Sequence, residues 1–157
     1  MLDPRLYTEG PYTYTILRYV HDIGTAEFIN VGVVVAASNA PCVVAKFKTT
    51  YGRVKGAFPS LDTEVFRARM QRLQATFDAI DAVRCSEIQA REGTSIAALI
   101  RRVLPLEDSA LHWSSADSGV GDRLASTLQL LYQRFVTRHD LRRVSSSQWQ
   151  ASSFAKN

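Results

Sequence analysis

Arg18, Asn30 and Gly32, near the N-terminus, are the residues of this sequence best suited to holding a ligand. A guanidinium is a planar fork of donors that matches a carboxylate or a phosphate. Asn adds one donor group and one acceptor, and Gly leaves room for a ligand or another backbone to approach. Asp22 and Glu27 lie between them, so the candidate binding set is Arg18, Asp22, Glu27, Asn30 and Gly32. A structural use competes with this one. If the connection folds back, Glu27 pairs with Arg18 and pins the hairpin, while Asn30 satisfies a local backbone group and Gly32 eases a bulge or a packing contact.

A second set is basic. Lys46, Lys48, Arg53 and Lys55 fall in one ten-residue window, and no acid occurs from Phe28 to Leu61. Such a stretch attracts phosphate or an acidic protein surface, although lysines on a strand edge also serve to deter edge-to-edge pairing.

Catalytic sets are weaker. His21 and Asp22 with Glu27 contain the ingredients of a general base with metal-binding acids. Yet His21, His112 and His139 match no ligand motif in spacing or flanks. His139-Asp140 reads as a basic side chain near the last carbonyls of a helix. The stretch Asp117 to Asp122 has glycines but lacks the lysine of a phosphate loop, which leaves only backbone amides at a helix start for an anion. Cys42 and Cys85 show no Cys-x-x-Cys spacing and read as small buried hydrophobes. No catalytic residue, metal or cofactor is assigned.

The elements that position these residues begin with strands. Tyr12 to Val20 is dense in aromatic and β-branched residues, and Phe28 to Ala37 is rich in Val; a polar connection with Gly24 joins them as a hairpin. Cys42 to Lys48 supplies a third antiparallel strand. Pleat alternation puts Ile29, Val31, Val33 and Val35 on one face, which belongs in the core, and Asn30, Gly32, Val34 and Ala36 on the other. A register that buried Arg18 among the aliphatic residues would strand its charge, so Arg18 is expected on the face of Asn30 and Gly32.

Helices follow. Phe66, Met70, Leu73, Phe77 and Ile80 form one stripe on a helix expected over Asp62 to Val83, after a loop from Tyr51 to Phe58. Ile96, Leu99, Ile100 and Val103 mark a short helix that Pro105 ends. Leu111 to Trp113 suits a further strand, and Gly119 to Asp122 opens a last helix carrying Leu124, Leu128, Leu131 and Phe135. Residues 145–157 form a Ser-rich tail behind a single domain over 1–144. Strands first and helices afterwards give an α+β fold, an antiparallel sheet begun by the N-terminal hairpin with amphipathic helices packed on one face.

Composition agrees with this. The chain has 157 residues, 46% of them hydrophobic and 22% charged, which excludes a disordered protein. The densest apolar run, Val31 to Ala37, is far shorter than a membrane span, and the N-terminus lacks the pattern of a secretory signal, so a cytoplasmic protein is expected. Net charge is +4, with residues 61–109 balanced and both ends positive.

The residues Tyr14 to Val20, Asp22, and Glu27 to Val35 resemble the N-terminal signature of a bacterial family, domain of unknown function 3037. That signature is a strand ending in Arg-Tyr-Val, a turn, and Glu-Phe-x-Asn-x-Gly-Val. Leu131, Tyr132 and Val136 match a Leu-Tyr-x-x-x-Val ending. The resemblance places the family's motif positions on Arg18, Asp22, Glu27, Asn30 and Gly32. His21 and Ile23 stand where the family commonly has proline, which argues against a required role for His21. The resemblance implies a cytoplasmic protein without known activity, and a HipA-like kinase as a conceivable protein partner. Two functions follow as expectations: an accessory or protein-interaction module using the polar hairpin face, or a nucleic-acid binder or nuclease using the basic loop.

Overall fold

The computed structural model describes residues 10–22, 24, 27–93, 95–103 and 110–137, with the backbone alone at His21 and Asp22. His139 and the Ser-rich tail lie outside the described residues. In chain order the elements are β1 (Gly10–Asp22), β2 (Glu27–Ala37), β3 (Val43–Phe47), α1 (Gly52–Ala57), α2 (Thr63–Asp78), α3 (Ala82–Glu92), α4 (Ile96–Val103), β4 (Leu111–Trp113), β5 (Asp117–Gly121) and α5 (Leu124–Tyr132). A π-helical turn over Gln133–Thr137 continues α5. The fold is α+β, with an antiparallel sheet ordered β3-β2-β1-β4 and β5 paired to β1 further along the same side as β4.

Ser114 bridges the gap between β4 and β5. Its Oγ accepts the Ile16 amide at 3.0 Å, its own amide donates to the Ile16 carbonyl at 2.8 Å, and its carbonyl accepts the Thr15 hydroxyl at 2.8 Å. The long first strand thus keeps its backbone partners where two short strands meet.

A β-bulge sets the faces of β2. Leu17 lies opposite Gly32 and Arg18 opposite Asn30, so Val31 is an extra residue in the ladder. One inserted residue reverses the pleat parity beyond it. Ile29, Val31, Val34 and Ala36 therefore join Leu17 and Phe47 on one face, while Val33, Val35 and Ala37 join Ile16 on the other. This corrects the expected single face of Ile29, Val31, Val33 and Val35. Both sheet surfaces are apolar and both are covered. Helices α1 to α4 pack on the first face, and α5 with its π turn lays Leu124, Leu131, Tyr132 and Val136 on the second.

Two helical boundaries also differ from expectation. Asp62 caps α2 by accepting the Val65 amide, and Phe66, Met70, Leu73 and Phe77 are buried. The helix stops at Asp78 instead of reaching Val83, because Asp81 accepts the Arg84 amide at 2.8 Å and starts α3, which buries Cys85 and Ile88. The stretch read as a loop before α2 holds the short α1. Residues 117–121, read as part of a helix entry, form β5 because β1 extends to Gly10 and offers them an edge. No helix among the described residues is long and apolar enough to cross a membrane.

Burial pushes the Cys85 thiol up to about 11. Folding thus disfavours its thiolate, so its contribution to stability is complete below its ordinary value of 9.0 and is lost as pH rises through about 11. Urea melts between those values should show stability falling with pH, with a shallower fall in Cys85→Ala.

Candidate binding site on the hairpin

The bulge decides which polar residues meet. Asn30 on β2, Arg18 on β1 and His112 on β4 are successive partners across three strands, so they form one row on the α5 face of the sheet. Asn30 and Arg18 share a face, as the hairpin register requires. Gly32 does not join them. An added Cβ there would lie 2.3 Å from Phe47 Cδ1, a ring buried on the opposite face. Gly32 thus serves the close approach of β3, and the trio read from simple alternation is a pair plus a packing residue.

The Asn30 amide fixes the row to the last helix. Its Nδ2 donates to the Phe135 carbonyl at 3.1 Å, inside the π turn, where a widened helix frees a carbonyl for an outside donor. Phe135 also stacks on Tyr14 at 5.9 Å, and burial, reinforced by the Asp117 carboxylate, raises the Tyr14 phenol above its ordinary range. The other half of the Asn30 amide, Oδ1, is buried and accepts no hydrogen bond among the described residues.

The Arg18 guanidinium lies over the Phe28 ring, with Cζ 4.3 Å from the centroid. A cation–π contact of this kind contributes about 0.5–1 kcal/mol at an exposed site. The Arg18 Nε is buried without a partner, and no ion pair joins Arg18 to Glu27 among the described residues. The anticipated Arg18–Glu27 clamp is not what orders the hairpin. Phe28 itself is 46% exposed, an uncommon state for a large aromatic. The arrangement is a cation presented on a half-exposed apolar ring. Such a guanidinium is suited to a carboxylate attached to an apolar group.

The remaining candidates lie elsewhere. Asp22 faces Glu27 across the end of the hairpin, where the backbone alone is described for Asp22, and Glu27 is exposed. The basic residues do not converge. Lys46 extends over the Tyr132 ring at 4.8 Å on the α5 face, whereas Lys55 donates to the Pro59 and Leu61 carbonyls beyond α1, on the other side of the sheet. Lys48 is 5% exposed, and Arg53 is half-buried on α1. No group of three or more potential metal ligands occurs among the described residues.

Sequence reasoning missed Phe28 and His112 as members of the row. Phe28 was accessible to it, since it stands two residues before Asn30 and so on the same face. His112 was not, because nothing local sets the register of a three-residue strand.

This sheet, with its bulged hairpin and a π-turned last helix docked on the Arg18–Asn30 row, defines an α+β domain whose polar hairpin signature carries the family resemblance. The chain belongs to the family described as a protein of unknown function (DUF3037), whose family model matches residues 14–136, most of its length. Neither a curated protein nor a solved structure matches the chain.

Proposed function

We propose that this domain is a non-catalytic protein-interaction module, and that Arg18 over Phe28 is the point at which a partner's acidic, partly apolar surface docks. The observation that carries this reading is Arg18 itself, a guanidinium resting on a half-exposed ring with no hydrogen bond or ion pair among the described residues. A desolvated Arg–carboxylate contact of this type is a common anchor of binding energy, and exposed aromatics mark such patches. The family's resemblance-derived partner, a HipA-like kinase, is the first protein to try.

The test is co-expression of the full chain with such a kinase, followed by size-exclusion chromatography. Co-elution is expected with the parent chain and its loss with Arg18→Ala. That variant should change stability by less than about 1 kcal/mol in a urea melt, because it removes one cation–π contact. Separate elution of the parent chain from the kinase rules out that partner. A complex that survives Arg18→Ala contradicts the assigned site.

A further inference from the structure

Among the described residues, the N-terminal half of β2 has a strand neighbour on one side alone. β3 pairs with Gly32 to Ala36, and the ladder ends one step further, where the Lys48 amide donates to the Val31 carbonyl at 2.7 Å. Phe28 to Asn30 pair with β1, and no other backbone bond reaches them among the described residues.

The direction of their backbone groups follows from β1. Ile16 gives its amide and carbonyl to Ser114, and the Val20 amide donates to the Ala110 carbonyl. Both residues thus point away from β2, and so does Arg18 between them. Their partners Asn30 and Phe28, opposite Arg18 and Val20, stand at non-hydrogen-bonded positions. Each therefore directs its N–H and C=O outward, to the open side. The outer edge of β3 is different. There Gln74 of α2 accepts the Phe47 amide and donates to the Ala45 carbonyl, both at 2.8 Å, so a side chain takes the place of a further strand.

We infer that the open half of β2 receives an extended segment of the partner as an added strand, with an acidic side chain set against Arg18; this rests on the reading of Arg18 as the docking point. Strand addition supplies partners to the outward groups of Phe28 and Asn30. A residue opposite either one projects on their face of the sheet. There the Arg18 guanidinium, reaching from β1 across Phe28, meets it. The next residue of the added strand projects on the face of Ile29. Charge selects the occupant. The chain has no acid from Phe28 to Leu61, and a second copy docked here sets one Arg18 against another, whereas a glutamate or aspartate complements it.

Two short synthetic peptides test this on the full chain, one alternating valine with glutamate and one alternating valine with lysine. Binding is read by fluorescence anisotropy, and amide hydrogen exchange by NMR. The glutamate peptide is expected to bind and to slow exchange at Phe28 and Asn30, and Arg18→Gln to weaken it about tenfold. N-methylating the peptide along the edge that faces β2 should abolish binding, and along its other edge should not. If methylation of neither edge matters, no strand is added and this inference fails, while dependence on Arg18 would leave the docking point standing. Equal binding of the lysine peptide, or indifference to Arg18→Gln, overturns both readings. Protection of the same amides in the free chain, as a dimer, assigns the edge to a second copy and also overturns the inference, as does binding of neither peptide.

Discussion

Gly32→Ala is expected to destabilise the domain by about 1–3 kcal/mol, the usual range for forcing extra volume into a packed site. Alanine at an ordinary strand position would stabilise slightly by restricting the unfolded chain. Here the sign reverses. The new Cβ would lie 2.3 Å from Phe47 Cδ1 and 2.9 Å from Cε1. Phe47 has little room to move, since it is 4% exposed and packs on Phe77 with ring centroids 5.5 Å apart. Urea denaturation of the single variant gives the loss, and Gly32→Ala combined with Phe47→Leu should recover part of it. Non-additivity of that kind is the mark of a direct clash. A Gly32→Ala chain as stable as its parent would remove the packing role and return Gly32 to the list of ligand-contact residues.

Gln74→Leu is the second large effect, about 2 kcal/mol. The substitution keeps the bulk of a half-buried side chain and deletes both bonds to β3, leaving the Phe47 amide and the Ala45 carbonyl without their partner. It has a second consequence, because those two groups then form an unguarded strand edge. The expected result is a lower urea midpoint together with concentration-dependent association in sedimentation. Gln74→Glu keeps an acceptor for the Phe47 amide but sets a carboxylate against the Ala45 carbonyl and the Asp78 carboxylate, which Gln74 Nε2 reaches at 2.8 and 3.0 Å. It should therefore also be less stable than the parent, by like-charge repulsion as well as by the lost donor.

The legible parts of this fold were those set by local chemistry. The hairpin, the third strand, the stripe of α2 and the short α4 follow from alternation and helical spacing, and the structure has all of them. The split of the long helix turned on Asp81, a cap signal that the apolar stripe running through Ile80 masked. The faces of β2 were legible up to the bulge and reversed after it. Gly32 inside the strand was compatible with a bulge or a packing contact as well as with a ligand, and the local sequence did not choose among them; pairing with β1 and the approach of Phe47 to Gly32 make the choice. The π turn was hidden for the same reason: its carbonyl is held by Asn30, far away in sequence. Of the candidate site, Arg18 and Asn30 were placed together by charge cost alone. Phe28, which turns that pair into a surface, reads from sequence as one more apolar strand residue, and only its exposure in the fold sets it apart.

The most direct measurement places a photo-crosslinking phenylalanine derivative at Phe28 in the native host, with the same derivative at the exposed Val120 of β5 as control. A discrete protein adduct is expected from position 28, absent from position 120 and lost when Arg18→Glu is added. Identical adducts from both positions, or an adduct from position 28 that persists with Arg18→Glu, would contradict the assigned docking point.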